Sequence, residues 1–341
     1  MATSSLTRER VGKAVERSVG WLLGEQRPDG SIGKEVPGYY KLPGIFQMTG
    51  HYAEAASLLQ WICKNALGKD GWFRYDSSNY TDLRGIRRWT TYQNEWLTFG
   101  SQLLGRFDVA QKALETLLTC QDRRWGGFSY DRAIRKRPGE VEPLSSAFGG
   151  LACLFTGRLK EAQKAGDFLV KLVSLQPEPQ KRFYLNVHTR KGLVTEFPAA
   201  EAQMYVVDTQ KPNQFYFFPG LMMAFLCKLY LVTREKKYAA AATRLLRFSV
   251  KCQPDVYANM SNIKLGWGSA ALYKITGDPL ARDVAERIAT YLLDTQNADG
   301  TWFTNDYLGD APGTVNEYSH KMDLTAEFTV RLIEITKDLG L

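Results

Sequence analysis

The chain has 341 residues, 44% apolar and 23% charged, with a formal net charge of +8. This is the balance of a globular protein, without the ~18–20-residue apolar run that a membrane span needs. The positive charge is dispersed, and its densest cluster (Arg132, Arg135, Lys136, Arg137) stands beside Glu140 and Glu142. It reads as a solvated loop, so no nucleic-acid partner is expected.

In chain order, amphipathic helices alternate with helices that are apolar nearly all round. The first stripe is Val11, Ala14, Val15, Val19, Leu22 and Leu23, spaced by three and four residues. An apolar segment follows at 41–49, then a stripe at 52–66 and an apolar segment at 92–104. The alternation continues through 107–120, 144–155, 159–173, 215–232, 238–252, 262–275, 279–296 and 315–337. Thr90 with Gln93, and Thr314 with Glu317, have the spacing of capping boxes. Between 173 and 215 the period changes to two (Arg182-Phe183-Tyr184-Leu185-Asn186-Val187-His188), which predicts a β-hairpin over 182–195.

Two kinds of turn punctuate this pattern. Striped helices end at Gln26…Asp29-Gly30, Asp70-Gly71-Trp72, Gln121…Gly126, Gln176-Pro177, Gln253-Pro254 and Gln296…Asp299-Gly300-Thr301-Trp302. Apolar helices end at Thr49-Gly50, Leu104-Gly105, Thr156-Gly157, Thr233-Arg234 and Thr276-Gly277. A repeated helical hairpin is implied. The prediction is therefore an all-α protein: one (α/α)6 toroid of six helical hairpins over 1–341, with 182–213 an inserted hairpin and lid segment.

The Gln296…Trp302 and Gln121…Trp125 turns are similar to the Gln-Trp repeats of the terpenoid cyclase and protein prenyltransferase α/α toroids. The resemblance implies that Gln and Trp tie neighbouring repeats together. It does not extend to chemistry. The Asp-x-Asp-Asp acid motif, the Asp-Asp-x-x-Asp magnesium motif and the zinc ligand set of those enzymes are absent. With three histidines, His51, His188 and His320, no spacing suggests a metal site, and no cofactor is expected. The five cysteines form no CxxC pair and Met1–Arg10 lacks a signal-peptide core, which predicts reduced thiols in a cytoplasmic protein. The oligomeric state is not legible.

Function is expected where the loops entering the inner helices gather. The proposed acid–base residues are Glu95, Asp323 and His320. Glu95 lies beside Trp96, where burial would keep a carboxyl protonated; Asp323 and Glu327 share a helix face one turn beyond His320. Arg87 and Arg88 are alternative ion-pair partners for Glu95, and Glu327 also reads as part of a ladder with Arg331 and Glu334. Substrate contacts are assigned to Tyr40, Lys41, Trp89, Tyr92, Trp96, Glu201, Tyr205, Asp208, Tyr216, Phe217, Trp267, Tyr318 and Glu327. The set is rich in aromatics, which suits an apolar small-molecule substrate and a passing cation. It predicts a cofactor-independent isomerase or cyclase of secondary metabolism that protonates an epoxide, alkene or carbonyl of a terpenoid-like precursor. The alternative is a carbohydrate-active enzyme (glycoside hydrolase, lyase or epimerase).

Overall fold

The structure, a computed structural model, describes residues 6–32, 39–74, 83–303 and 317–341; the side chains of 83–89, Ser261 and Glu317 lie outside that description. The described residues form twelve α-helices in two concentric rings. The inner ring is α2 (Leu42–Met48), α4 (Leu83–Leu103), α6 (Pro143–Phe155), α8 (Phe217–Thr233), α10 (Ile263–Thr276) and α12 (Glu317–Leu339). The outer ring is α1 (Arg8–Gly24), α3 (Tyr52–Asn65), α5 (Phe107–Leu117), α7 (Leu159–Ser174), α9 (Lys236–Ser249) and α11 (Pro279–Thr295). Each inner helix packs on its inner neighbours and α12 packs on both α1 and α2, which closes the toroid expected from the sequence.

The alternation of sequence character explains the two layers. Outer helices bury one stripe, as α7 does with Ala162, Ala165, Phe168, Leu169 and Leu172. Inner helices are covered on every side, so α8 is buried at every residue from Phe217 to Cys227. The marks that end inner helices, Gly50, Gly105, Gly157, Arg234 and Gly277, are all left-handed (φ +60 to +87°).

The glutamine turns join the repeats. The side-chain amide of Gln26 donates to Gly30 O within its own turn (3.1 Å) and to Glu54 O in α3 (3.0 Å). Gln121 makes the same pair with Gly126 O and Glu161 O in α7, both at 2.9 Å. Gln296 repeats it with Gly300 O and Ala14 O in α1. Gly300 has φ +87°, and a Cβ there would come within 2.6 Å of the Arg17 carbonyl, so the turn lies directly on the next outer helix.

The inserted segment is organised differently from a single hairpin. β1 (Glu140–Val141), β3 (Val187–His188) and β4 (Gly192–Leu193) form a three-stranded antiparallel sheet in the order β1-β3-β4, while β2 (Arg182–Tyr184) pairs with β5 (Val206–Asp208). The period-two stretch is thus split between two sheets, and the hairpin within it is β3–β4. Phe183, Leu185, Val187 and Val207 are buried beneath it. Gln176, which marks the end of α7, binds both Tyr184 O (3.0 Å) and Tyr184 N (2.7 Å), because strand β2 occupies the place where other repeats offer the next outer helix.

One capping expectation changes. Thr90 lies inside α4, whose helical turns begin at Leu83, so Thr90 and Gln93 do not form an N-terminal box. Asn94 instead donates to Thr90 O and Phe73 O. Thr314 lies outside the described residues. The caps seen are Thr7 on α1, Glu142 on α6 and Asp278 on α11.

Candidate active site in the inner ring

Helix α12 presents Asp323, Glu327, Arg331 and Glu334 at steps of four, four and three residues, hence on one face. That face meets the other inner helices at the ring centre. Glu327 is 1% exposed, and both oxygens are fully engaged. Lys41 Nζ lies at 2.7 Å and Tyr92 Oη at 2.8 Å from one oxygen, Arg331 Nε at 2.8 Å and Lys264 Nζ at 3.1 Å from the other. Burial opposes this charge, yet Lys264, Lys41 and Arg331 together hold the carboxyl well below its ordinary range. Burial in turn lowers Lys264 to about 8, with Glu327 opposing that shift. Tyr92 is raised by burial and by Glu327.

Asp323 closes the column at the N-terminal end of α12. It accepts from Tyr40 Oη at 2.6 Å and pairs with Lys41 Nζ at 3.0 Å, and a fifth of its side chain is exposed. At the other end Arg331 pairs with Glu334, which also meets Lys228 at 3.4 Å. The Arg331 guanidinium stacks on Trp267 at 3.8 Å, with Trp96 at 5.2 Å and Phe148 at 5.6 Å.

Glu95, one turn along α4 from Tyr92, has none of these cations. Both its oxygens are buried and neither has a hydrogen-bond partner. Gly149 leaves room for it, since a Cβ there would sit 3.0 Å from Glu95 Oε1 and 2.8 Å from the Phe128 ring. Burial, then the nearby Glu142 carboxylate, raises the Glu95 carboxyl well above its ordinary value, which favours its uncharged form. Glu142 itself is held by the first turn of α6, accepting from Leu144 N and Ser145 N at 2.5 and 2.7 Å.

Glu95 lines a cleft with about 430 Å³ of empty space, counting its open mouth. Its walls are the rings of Trp96, Phe99, Phe148, Phe155 and Trp267, with Leu151, Ala152, Met48 and Val330, and its charged residues are Lys228, Arg331 and Glu334. Met48 and Phe155 end α2 and α6, so this cleft opens toward the C-terminal ends of the inner helices. The sequence reading placed the mouth at their N-terminal ends. The segments that precede α2, α4 and α12 (33–38, 75–82 and 304–316) are outside the described residues.

The expected residues therefore divide. Tyr40, Lys41, Tyr92, Asp323 and Glu327 form one buried polar column. Glu95, Trp96 and Trp267 line the cleft. Phe217 lies 5.5 Å from Lys264 Nζ. Glu327, expected to touch substrate, has both oxygens already engaged. Tyr216 turns its hydroxyl to Asp255 (2.9 Å), tying α8 to the turn after α9. Tyr318 donates to Glu25 at the rim between α12 and α1. Asp208 pairs with Arg182 within the β2–β5 ribbon, and Tyr205 stacks on Phe197. Glu201 lies in a 3-10 turn (Ala199–Met204) of the same insertion, and His320 packs its ring edge-on to Phe303. The Trp89, Arg87 and Arg88 side chains are outside the described residues. Phe148, Lys228 and Arg331 were not assigned to the site from sequence. Lys228 carried a signal, a single cation within the otherwise apolar 215–232 stretch.

No family model and no curated protein sequence matches this chain. Solved structures do. A D-mannose isomerase superposes with a TM-score of 0.69 at 11% identity, covering 97% of this chain and 98% of that one. The GH76 α-mannanase of Bacteroides thetaiotaomicron gives 0.63 at 13% identity, covering 97% of each chain. The type II terpene cyclase MstE of Scytonema gives 0.58 at 12% identity, covering 98% of this chain and all of that one. These likenesses establish the α/α toroid across the whole chain. The three proteins are enzymes of unlike chemistry, so the fold leaves the reaction to the site.

Proposed function

We propose that this protein is a Brønsted-acid isomerase or cyclase acting on an apolar, terpenoid-like substrate, with Glu95 as the proton donor. One observation carries the reading. Glu95 is a buried carboxyl group without an ionic partner among the described residues, and the cleft beside it is walled by five aromatic rings. Protonation of an epoxide, alkene or carbonyl would leave a cation, which ring faces stabilise by about 0.5–2 kcal/mol each. Asp323 is the weaker candidate because it already accepts a hydrogen bond from Tyr40 and pairs with Lys41. The Glu327 column braces the ring and fixes Arg331. No cofactor is assigned to this step, and we propose a cytoplasmic enzyme of secondary metabolism.

The carbohydrate reading draws on the superposition with D-mannose isomerase and on the partly exposed Asp323 beside Tyr40 and Lys41. As a hydrolase it is less well supported. Glycosidases work with two available carboxyl groups, and here Glu327, the neighbour of Asp323, has four donors on it. An inactive GH76 mannanase variant carries replacements at two consecutive aspartates, whereas no two consecutive residues of this chain are both acidic.

The test is turnover of terpenoid epoxides and polyenes, followed by gas chromatography, against D-mannose and manno-oligosaccharides. Rearranged terpenoid products, lost by at least ~10²-fold in Glu95→Gln, are expected. Turnover of sugars alone, or a fully active Glu95→Gln enzyme, would overturn the assignment.

A further inference from the structure

Three nitrogen donors of the cleft residues are buried without an acceptor: Arg331 Nη2, Trp96 Nε1 and Trp267 Nε1. Each belongs to a side chain that lines the same cleft as Glu95. An unanswered buried donor carries its desolvation cost uncompensated, more so when it is charged. Three of them around one cleft form a set that a ligand oxygen would satisfy. The guanidinium is also fixed in place. Its Nε is held by Glu327, its Nη1 by Glu334 and its face by Trp267, which leaves Nη2 as its unpartnered nitrogen.

Charge narrows the ligand further. Arg331 and Lys228 contribute two positive charges to the cleft and Glu334 one negative, and burial favours the uncharged form of Glu95. The remainder is a single positive charge. It matches one monoanion and would leave a diphosphate largely uncompensated. The walls around that charge are aromatic and aliphatic.

We infer that the cleft binds an amphipathic monocarboxylate. Its carboxylate is received by Arg331 Nη2, the Trp96 and Trp267 indole N–H groups and Lys228, and its apolar body lies against Phe99, Phe148 and Phe155. This deepens the proposed function and rests on it for the reaction, but the binding claim stands apart from the chemistry. Guanidinium–carboxylate hydrogen bonds are charge-assisted and about twice as strong as neutral ones. A bound carboxylate would also favour the protonated form of Glu95 by like-charge repulsion.

The experiment is calorimetric titration of the whole protein with farnesoic acid and with farnesol at pH 7.5, with inorganic phosphate as a third probe. The acid is expected to bind at least ~10-fold more tightly than the alcohol, and phosphate not to compete, since it lacks the apolar body. Trp96→Phe, Trp267→Phe and Lys228→Met keep the walls and remove one donor each. Each should reduce the acid's affinity by more than the alcohol's, and so reduce the acid's advantage. Arg331→Lys is the stronger variant, and circular dichroism would first establish that it folds. Equal affinity for acid and alcohol in the parent protein would overturn the inference while leaving acid catalysis by Glu95 intact. Acid preference unchanged in all the folded variants would overturn the donor assignment, and displacement by phosphate would overturn the amphipathic ligand. Preserved acid preference together with a fully active Glu95→Gln enzyme would leave the binding site standing and sink the catalytic reading.

Discussion

Gln296 donates its side-chain amide to the carbonyl of Ala14, 282 positions earlier, at 2.9 Å, and so joins the last outer helix to the first. The same amide caps its own turn at Gly300 O. Gln26 and Gln121 do the same between consecutive outer helices, so a repeat bond that is local elsewhere becomes the closure of the ring.

Removing that closure should be costly. Gln296→Ala deletes three side-chain hydrogen bonds, those donated to Ala14 O and Gly300 O and the one accepted from Arg17, for an expected loss of about 1–3 kcal/mol. Urea unfolding would measure it. An unchanged midpoint would mean that α1 is held to α11 by packing and the Arg10–Asp294 pair without help from this bond.

Glu95 should make stability depend on pH in an unusual direction. Its folded pKa is raised above the ordinary 4.5 by burial and Glu142. Its contribution is therefore fully present below pH 4.5 and is lost as pH rises toward the folded value, where the unfolded chain ionises and the folded one does not. Glu95→Gln removes this penalty. The variant should match the parent near pH 4 and become progressively more stable than it at pH 6–8. A difference that is flat with pH would show that Glu95 is ionised in the folded protein.

Glu327 should behave in the opposite sense. Its folded pKa is depressed by Lys264, Lys41 and Arg331 against the cost of burial. The stabilisation is present above pH 4.5 and is lost as pH falls through the depressed value. Glu327→Leu leaves three buried cations around an apolar side chain, and about 3–5 kcal/mol should be lost at pH 7. Thermal melts at pH 7 and pH 4 would detect it, and a variant with parental stability would show that the cations find other acceptors.

The inserted segment should act as a brace. Deleting 183–194 removes Phe183, Leu185 and Val187 from the core, together with the strand bonded by Gln176. Loss of three buried apolar side chains predicts a drop of several kcal/mol, at about 1.5–3 kcal/mol for each. A melting temperature close to the parent's, with turnover abolished, would instead identify the segment as a movable lid.

Helical periodicity and two kinds of turn were enough to read the double ring from the sequence, because each repeats a local rule, one turn six times and the other five. Stripe spacing says which helices lie outside, and Gly50, Gly105 or Gly157 says where an inner helix stops. The capping box at Thr90 failed because α4 begins before the residues that resembled its cap. The acid was half legible. Glu95, Asp323 and Glu327 look alike in sequence, three carboxyl groups on inner helices next to aromatic or apolar neighbours. Their protonation is decided by which charges surround them, and those come from elsewhere in the chain. Tyr92 lies 235 positions from Glu327, and Lys41 reaches both Asp323 and Glu327 from the start of α2. Three cations converge on Glu327, one on Asp323 and none on Glu95, whose described charged neighbour is another carboxylate. Desolvation and Coulomb energy depend on distances in space, so ring closure alone separates one buried carboxyl as a neutral acid from another as a fixed anion.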